Sequence, residues 1–411
     1  MSTLGLRENW KQFAILVMIN AFVGGMVGME RTILPDLAHQ KFDLVAKSAI
    51  LSFIIVFGFT KAIANYFAGS LANKVGRKNI LILGWLVALP IPFLLMFAPS
   101  WSWIIFANVL LGINQGLTWS STVVMKIDLV GEKNRGLAMG LNEFSGYLAI
   151  ALVALLSGYI AQHYGLSFYP FLIGIVLSIL GLLGSIFLVK DTRKFVTQEA
   201  QKSIVKPLRN IFLDTSFRQK NLSSVSQAGL INNLNDGMVW GLLPILLINK
   251  GYELSQVGLI VAVYPAVWGI SQLFSGRLAD IICKKKLLFW GMLLQGIAII
   301  LLVFANSTSH YITVAIILGL GTAVVYPTFL AAIADDTHPQ QRAESMGIFR
   351  FWRDSGYAFG AILSGILADA YGMNTAILSI GALTLVSAMV IQWRMSCRIN
   401  IPTILSLHKL K

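Results

Sequence analysis

The chain has 411 residues, of which 56% are hydrophobic and 12% charged, against roughly 25% charged in an ordinary soluble domain. Those proportions exclude a water-soluble enzyme. A net charge of +14 would suit a nucleic-acid partner, but the basic residues gather in every second loop and therefore report topology, not nucleic-acid binding.

The basic loops hold Arg7 and Lys11, then Lys74, Arg77 and Lys78, then Lys126, Lys133 and Arg135. Beyond them come the run from Lys190 to Lys220, then Arg277, Lys284, Lys285, Lys286 and Arg342, and finally Arg394, Arg398, Lys409 and Lys411. The opposite loops hold only Arg31, Lys41, Lys47 and Lys250. The positive-inside rule makes the rich side cytoplasmic, with both termini inside and an even number of crossings. Cys283 and Cys397 fall on that reducing side, so no structural disulfide is expected.

In chain order the expected spans are residues 11–33, 48–68, 79–98, 102–126, 137–161, 167–189, 222–249, 255–276, 287–306, 311–333, 345–369 and 374–394. A helical crossing needs about 20 predominantly apolar residues. The stretches Asn79 to Met125, Phe144 to Val189 and Leu287 to Ala334 lack Asp, Glu, Lys and Arg altogether, and each has room for two crossings. The first apolar run, Phe13 to Met29, has no small-residue cleavage site after it and counts as a span, not a signal peptide. In the polar stretch between spans six and seven, Ile204, Val205, Leu208, Ile211 and Phe212 recur near helical spacing among basic residues. This predicts a helix lying on the inner membrane surface. The expected division is a first six-helix bundle over 1–190, a cytoplasmic linker over 191–221, a second bundle over 222–396 and a cytoplasmic tail over 397–411.

At an offset of 207 residues, Gly69-Ser-Leu-Ala-Asn73 matches Gly276-Arg-Leu-Ala-Asp280, and Gly112, Asp128 and Arg135 match Gly319, Asp335 and Arg342. Ser157-Gly158 and Tyr164-Gly165 match Ser364-Gly365 and Tyr371-Gly372. Chance similarity between apolar helices would fall on Leu and Ile; these matches fall on glycines and charges. The chain is a duplicated six-helix unit. Because six is even, both copies share one membrane orientation about an axis along the membrane normal.

The loop Gly69-Ser-Leu-Ala-Asn-Lys-Val-Gly-Arg-Lys78 resembles the G-x-L-a-D-r-x-G-r-k signature of the major facilitator superfamily, and Gly276-Arg-Leu-Ala-Asp-Ile-Ile-Cys-Lys-Lys285 resembles a degraded second copy. The resemblance covers essentially the whole chain. It implies an all-α membrane protein whose twelve transmembrane helices form two pseudo-symmetric six-helix bundles around a cavity lined by spans one, four, seven and ten. It also implies a cytoplasmic gate built from Gly69, Asn73, Gly76, Arg77, Asp128 and Arg135 with Gly276, Asp280, Lys284, Asp335 and Arg342, including the pairs Arg77–Asp128 and Lys284–Asp335. The chain departs from the signature at Asn73, where the family has Asp, and at Cys283. Span four carries Gly112 and Asn114-Gln-Gly116 where proton antiporters of the family usually have an arginine. Lys74 and Lys78 are also explained as topology anchors among anionic lipids.

An ionisable group at the bilayer centre costs about 2.5–3.5 kcal/mol on insertion scales, so each one asks for a partner or a role. Glu30 and Arg31 lie about 27 Å along span one at 1.5 Å per residue, near the outer surface. The run Met29-Glu-Arg-Thr-Ile-Leu-Pro35 resembles the acidic span-one motif of the family's drug exporters; an interfacial charge at a proline-broken helix end is the competing account. Asn232, Asn233, Asp236 and Trp240 share one face of span seven, predicting a polar stripe turned to water. Asp236 is the first candidate for a proton or substrate-cation site, and a cap in a broken helix is the alternative.

Lys61, Glu143, Arg350, Arg353 and Asp354 all lie within about three helical turns of the inner surface. Arg350 and Asp354, one turn apart, are expected to neutralise each other; the resemblance, which sets spans two and eleven face to face, implies Lys61–Asp354 as the alternative pair, and Arg353 is the least obviously partnered. With Asp236 these groups number three positive and three negative, which leaves substrate charge open. Asn20, Gln115, Trp119 and Tyr326 complete the cavity candidates, Trp119 and Tyr326 being repeat mates.

The expected function is secondary transport by alternating access, with proton-coupled efflux of a small amphipathic solute as the leading form. Uptake or exchange of an organic anion is the alternative, and a non-transporting receptor on the same fold is the alternative from another class. The expected partners are a small-molecule substrate, protons and membrane lipid, with no nucleic acid, for a monomer in a bacterial inner membrane. Five scattered histidines suggest no metal site. The absence of a G-x-x-x-x-G-K-[ST] loop points to a gradient and not ATP as the energy source. No cofactor and no enzymatic activity are expected.

Overall fold

The computed structural model describes residues 4–397 apart from Thr32, Val45, Ala46, Glu132, Lys133, Ile204 and Glu253. Twelve long crossings follow in order. The first six are α1 (Trp10–Arg31), α2 (Lys47–Val75), α3 (Arg77–Met96), α4 (Trp101–Val130), α5 (Arg135–Tyr164) and α6 (Tyr169–Phe187). The second six are α7 (Lys220–Asn249), α8 (Leu254–Ile281), α9 (Lys284–Phe304), α10 (Thr308–Asp336), α11 (Arg342–Tyr371) and α12 (Met373–Arg394). The described residues contain no strand.

Nine crossings are long and apolar enough to span a bilayer by length and composition alone. The other three, α4, α7 and α11, have 30 residues each but carry polar residues through their middles. Burial makes this tolerable, since Asn114, Asn233 and Asp354 are sealed inside the protein, where backbone carbonyls and other side chains bond them. Leu155, Phe187 and Trp393 stand exposed, as a lipid-facing surface requires. α3 is broken at Pro90, with helix over Arg77–Ala88 and again over Ile91–Met96, because proline supplies no N–H to continue the ladder.

α1–α6 and α7–α12 form the two bundles, which meet where α2 packs on α11 and α5 on α8. Near the basic loops this approach is backbone against backbone. A Cβ added to Gly69 would lie 2.6 Å from the Ala343 carbonyl and 2.8 Å from Gly347 Cα; one on Gly276 would lie 2.6 Å from the Gly136 carbonyl. Only glycine permits this. Both described ends of the chain lie at the same basic end: Gly5 N bonds Leu129 O at 3.0 Å, and Ser396 N bonds Asn221 Oδ1 at 3.0 Å.

Two expectations are corrected here. The linker helix spans Arg193–Lys202, upstream of the apolar run expected to form it. Val205 and Leu208 lie in non-helical chain, Ile211 and Phe212 begin a separate short turn, and Ile204 lies outside the described residues. Pro207 helps explain the break, because the residue before a proline is pushed out of the α region. Second, Cys283 and Cys397 form a disulfide with Cα atoms 5.6 Å apart. The end of α12 returns beside the α8–α9 loop, a proximity that no compartment rule addresses.

Candidate functional site

At the basic end the repeat-related charges interlock across the halves. Arg77 Nε lies 3.4 Å from Asp128 and Lys284 Nζ 2.7 Å from Asp335 within their own halves. Arg135 reaches across to Asp335 at 2.8 Å, and Arg342 reaches across toward Asp128 at 3.9 Å. Asp280 accepts from the Gly136 and Leu137 amides at 2.7 and 2.9 Å, whereas its mate Asn73 donates to the Gln340 carbonyl at 2.5 Å. An amide in place of the signature carboxylate thus exchanges an acceptor for a donor. Gly76, at φ 98°, turns the chain from α2 into α3 in a conformation other residues rarely adopt.

Sequence reasoning missed Glu199. From the linker helix it accepts two hydrogen bonds from Arg342 and pairs with Arg135, so one carboxylate joins both halves. Burial alone would raise its pKa, but hydrogen bonding and charge from Arg342, with Arg135, hold it below the ordinary glutamate value. Thr192, just before that helix, donates to Asp128 at 2.8 Å. The basic end is closed.

About two to three helical turns deeper is a buried polar layer. Asp354 accepts from Asn65 at 2.6 Å, Asn233 at 3.1 Å and Arg353 at 2.6 Å, with Lys61 Nζ 3.8 Å away. The expected Arg350–Asp354 pair is therefore replaced. Arg350 turns instead toward Glu143 of the other half, 3.8 Å away, while the adjacent Arg353 takes Asp354 and lies 4.1 Å over the Tyr326 ring. Glu143 also accepts from Trp119 Nε1 at 3.1 Å and Asn142 at 2.5 Å. Lys126, expected to be a loop lysine, is fully buried and donates to Asn142. α4 continues to Val130, carrying it inside the helix, so a buried lysine joins the six groups expected here.

An aromatic group spans the halves beside this layer. Tyr147 and Trp268 have ring centroids 3.9 Å apart, and Tyr147 also touches Trp119 at 5.8 Å and Tyr326 at 6.4 Å. The span-seven stripe is covered, not wet. Asn232 and Asn233 bond each other, Asp236 accepts from Tyr264, and Trp240 is half-buried 6.2 Å from Tyr264. α11 covers Asn233 at the close crossing where Gly356 and Gly360 sit against the Leu230 and Leu234 carbonyls, and Tyr264 of α8 covers Asp236.

The remaining candidates are also internal. Asn20 donates to the Asn142 carbonyl at 2.8 Å and Gln115 to the Val23 carbonyl at 2.8 Å, both serving helix packing. Glu30, expected near the outer surface, is buried and accepts from Asn108 at 3.2 Å in a narrow cavity with Val27, Phe53, Ile54 and Phe57. The Arg31 side chain lies outside the described residues. Among the described residues no His, Cys, Asp and Glu cluster is arranged to hold a metal.

The family model described as Major Facilitator Superfamily matches residues 12–224 and 225–398. The multidrug resistance protein MdtG of Klebsiella pneumoniae is 23% identical over 95% of both chains. The proton-coupled antiporter flippase LtaA of Staphylococcus saprophyticus is 26% identical over 88% of both. The human organic anion transporter MFSD10 superposes with a TM-score of 0.77 at 14% identity, covering 92% of this chain and 99% of that one; at that identity the likeness concerns the fold.

Proposed function

The chain belongs to the major facilitator superfamily, and from that premise, which makes it an integral membrane transporter and not an enzyme, we propose that it exports a small amphipathic solute in exchange for protons. The halves 1–190 and 222–396 rock about the buried polar layer, exposing it to either side of a bacterial inner membrane in turn. Both termini are cytoplasmic, so the interlocked basic end is the inner gate, shut in the state described. The protein works as a monomer in contact with lipid.

The observation that carries proton coupling is Asp236, a carboxylate sealed mid-helix and bonded to the Tyr264 hydroxyl. A buried carboxylate is costly in a membrane, and protonation removes that cost. The names of MdtG and LtaA support efflux and proton antiport respectively. The test is flux in sealed vesicles under an imposed pH gradient, comparing the parent with Asp236→Asn. Surviving counterflow with lost pH-driven accumulation is the expected result. Undiminished accumulation would remove Asp236 from coupling, and an absence of flux in every form would make the protein a receptor.

A further inference from the structure

Arg350 is fully buried, and none of its three guanidinium nitrogens has a hydrogen-bond partner. Its nearest carboxylate, Glu143, stands at 3.8 Å, beyond hydrogen-bond reach. The Glu143 oxygen facing it is already engaged by Trp119 and Asn142, while Oε2 is unbonded. Arg353 leaves Nε and Nη2 unbonded as well. Around this point the ion pairs set Lys61, Arg350 and Arg353 against Glu143 and Asp354. Buried polar groups are normally satisfied, and an uncompensated buried charge costs several kcal/mol. The Arg350 guanidinium is thus left without the hydrogen-bond acceptors its burial calls for.

Resting on the transport reading above, we infer that Arg350 binds an acidic group of the solute, a carboxylate or phosphate, whose apolar body lies against Trp119, Tyr147, Trp268 and Tyr326. The planar guanidinium fork suits two oxygens of such a group. The aromatic rings beside it come from α4, α5, α8 and α10, so both halves grip one ligand. Three basic groups against two carboxylates disfavour an organic cation. Glu143 and the incoming anion compete for the same guanidinium, so removing the Glu143 charge strengthens binding.

The test is calorimetric titration of the full chain in phosphatidylcholine nanodiscs with 2-naphthoate, 2-naphthyl phosphate and 2-naphthylmethylammonium. Either anion should bind at least tenfold more tightly than the cation. Arg350→Gln should lose at least tenfold in anion affinity, and Glu143→Gln, which keeps every basic residue, should gain severalfold. Phosphatidylglycerol that displaces the anion marks a lipid headgroup as occupant; failure to displace it marks a soluble solute, and both outcomes uphold an anion site. Cation binding as tight as anion binding, or unchanged anion affinity in both variants, overturns the assignment. Anion binding without pH-driven flux leaves this site standing and defeats the exporter reading; pH-driven flux of the cation does the reverse.

Discussion

Arg342 holds Glu199 at two points, Nη1 to Oε2 at 2.8 Å and Nη2 to Oε1 at 2.7 Å. The same carboxylate pairs with Arg135, so the linker that joins the halves covalently also clasps them at one end. Removing one partner from a buried ion pair costs about 3–5 kcal/mol. In Glu199→Gln the closed basic end should lose on the order of 3 kcal/mol, about a hundredfold in the ratio of closed to open states. Spin-label distances between Lys74 at the end of α2 and Lys285 at the start of α9 should lengthen; an unchanged distance distribution would show that the clasp does not set the state.

Glu199 also fixes a pH dependence. Its pKa lies below the ordinary 4.5, so its contribution is fully present above that value and is lost as pH falls through the lower native one. The difference in accessibility of the basic end between the parent and Glu199→Gln should therefore hold from about pH 8 to about pH 5 and narrow only in stronger acid. A narrowing already at about pH 6 would show that Glu199 is not the group lost.

The glycine crossings give a steric prediction. Gly276→Leu puts a side chain where even a Cβ lies 2.6 Å from the Gly136 carbonyl. The protein should still insert and remain helical, but the halves cannot close there and transport should fall at least tenfold. Full turnover with this substitution would mean that α5 and α8 have room to separate without loss.

Tyr264→Phe removes the hydroxyl that donates to Asp236 and contacts Thr322 at 3.2 Å. Losing a hydrogen bond to a charged group costs about 1.5–3 kcal/mol. The pH optimum of transport should move while solute affinity holds; an unmoved optimum with weakened affinity would make Tyr264 a substrate contact instead.

The crossings and the duplication were legible in the sequence because apolar length, alternating loop charge and repeated glycines are one-dimensional signals. The pairings were not. Glu199 is an acid within a basic polar run, and its value comes from two arginines 64 and 143 residues away. Lys126 sits at the margin of its expected span, where a shift of one turn separates a loop lysine from a buried one. Helical spacing suggested Arg350–Asp354, but the other half offered Asp354 Lys61 and Asn65, and left Arg350 facing Glu143. Tyr147, Trp268 and Tyr264 gave no signal beyond being aromatic in apolar helices.

The first turn of α5 has no cap of its own, since the Asn134 side chain bonds none of its amides; Asp280, on the opposite bundle, supplies it. An N-cap is worth about 0.5–2 kcal/mol. Parting the bundles here strips that helix terminus, so fraying at Gly136 accompanies each inward opening and adds a restoring pull toward reclosure.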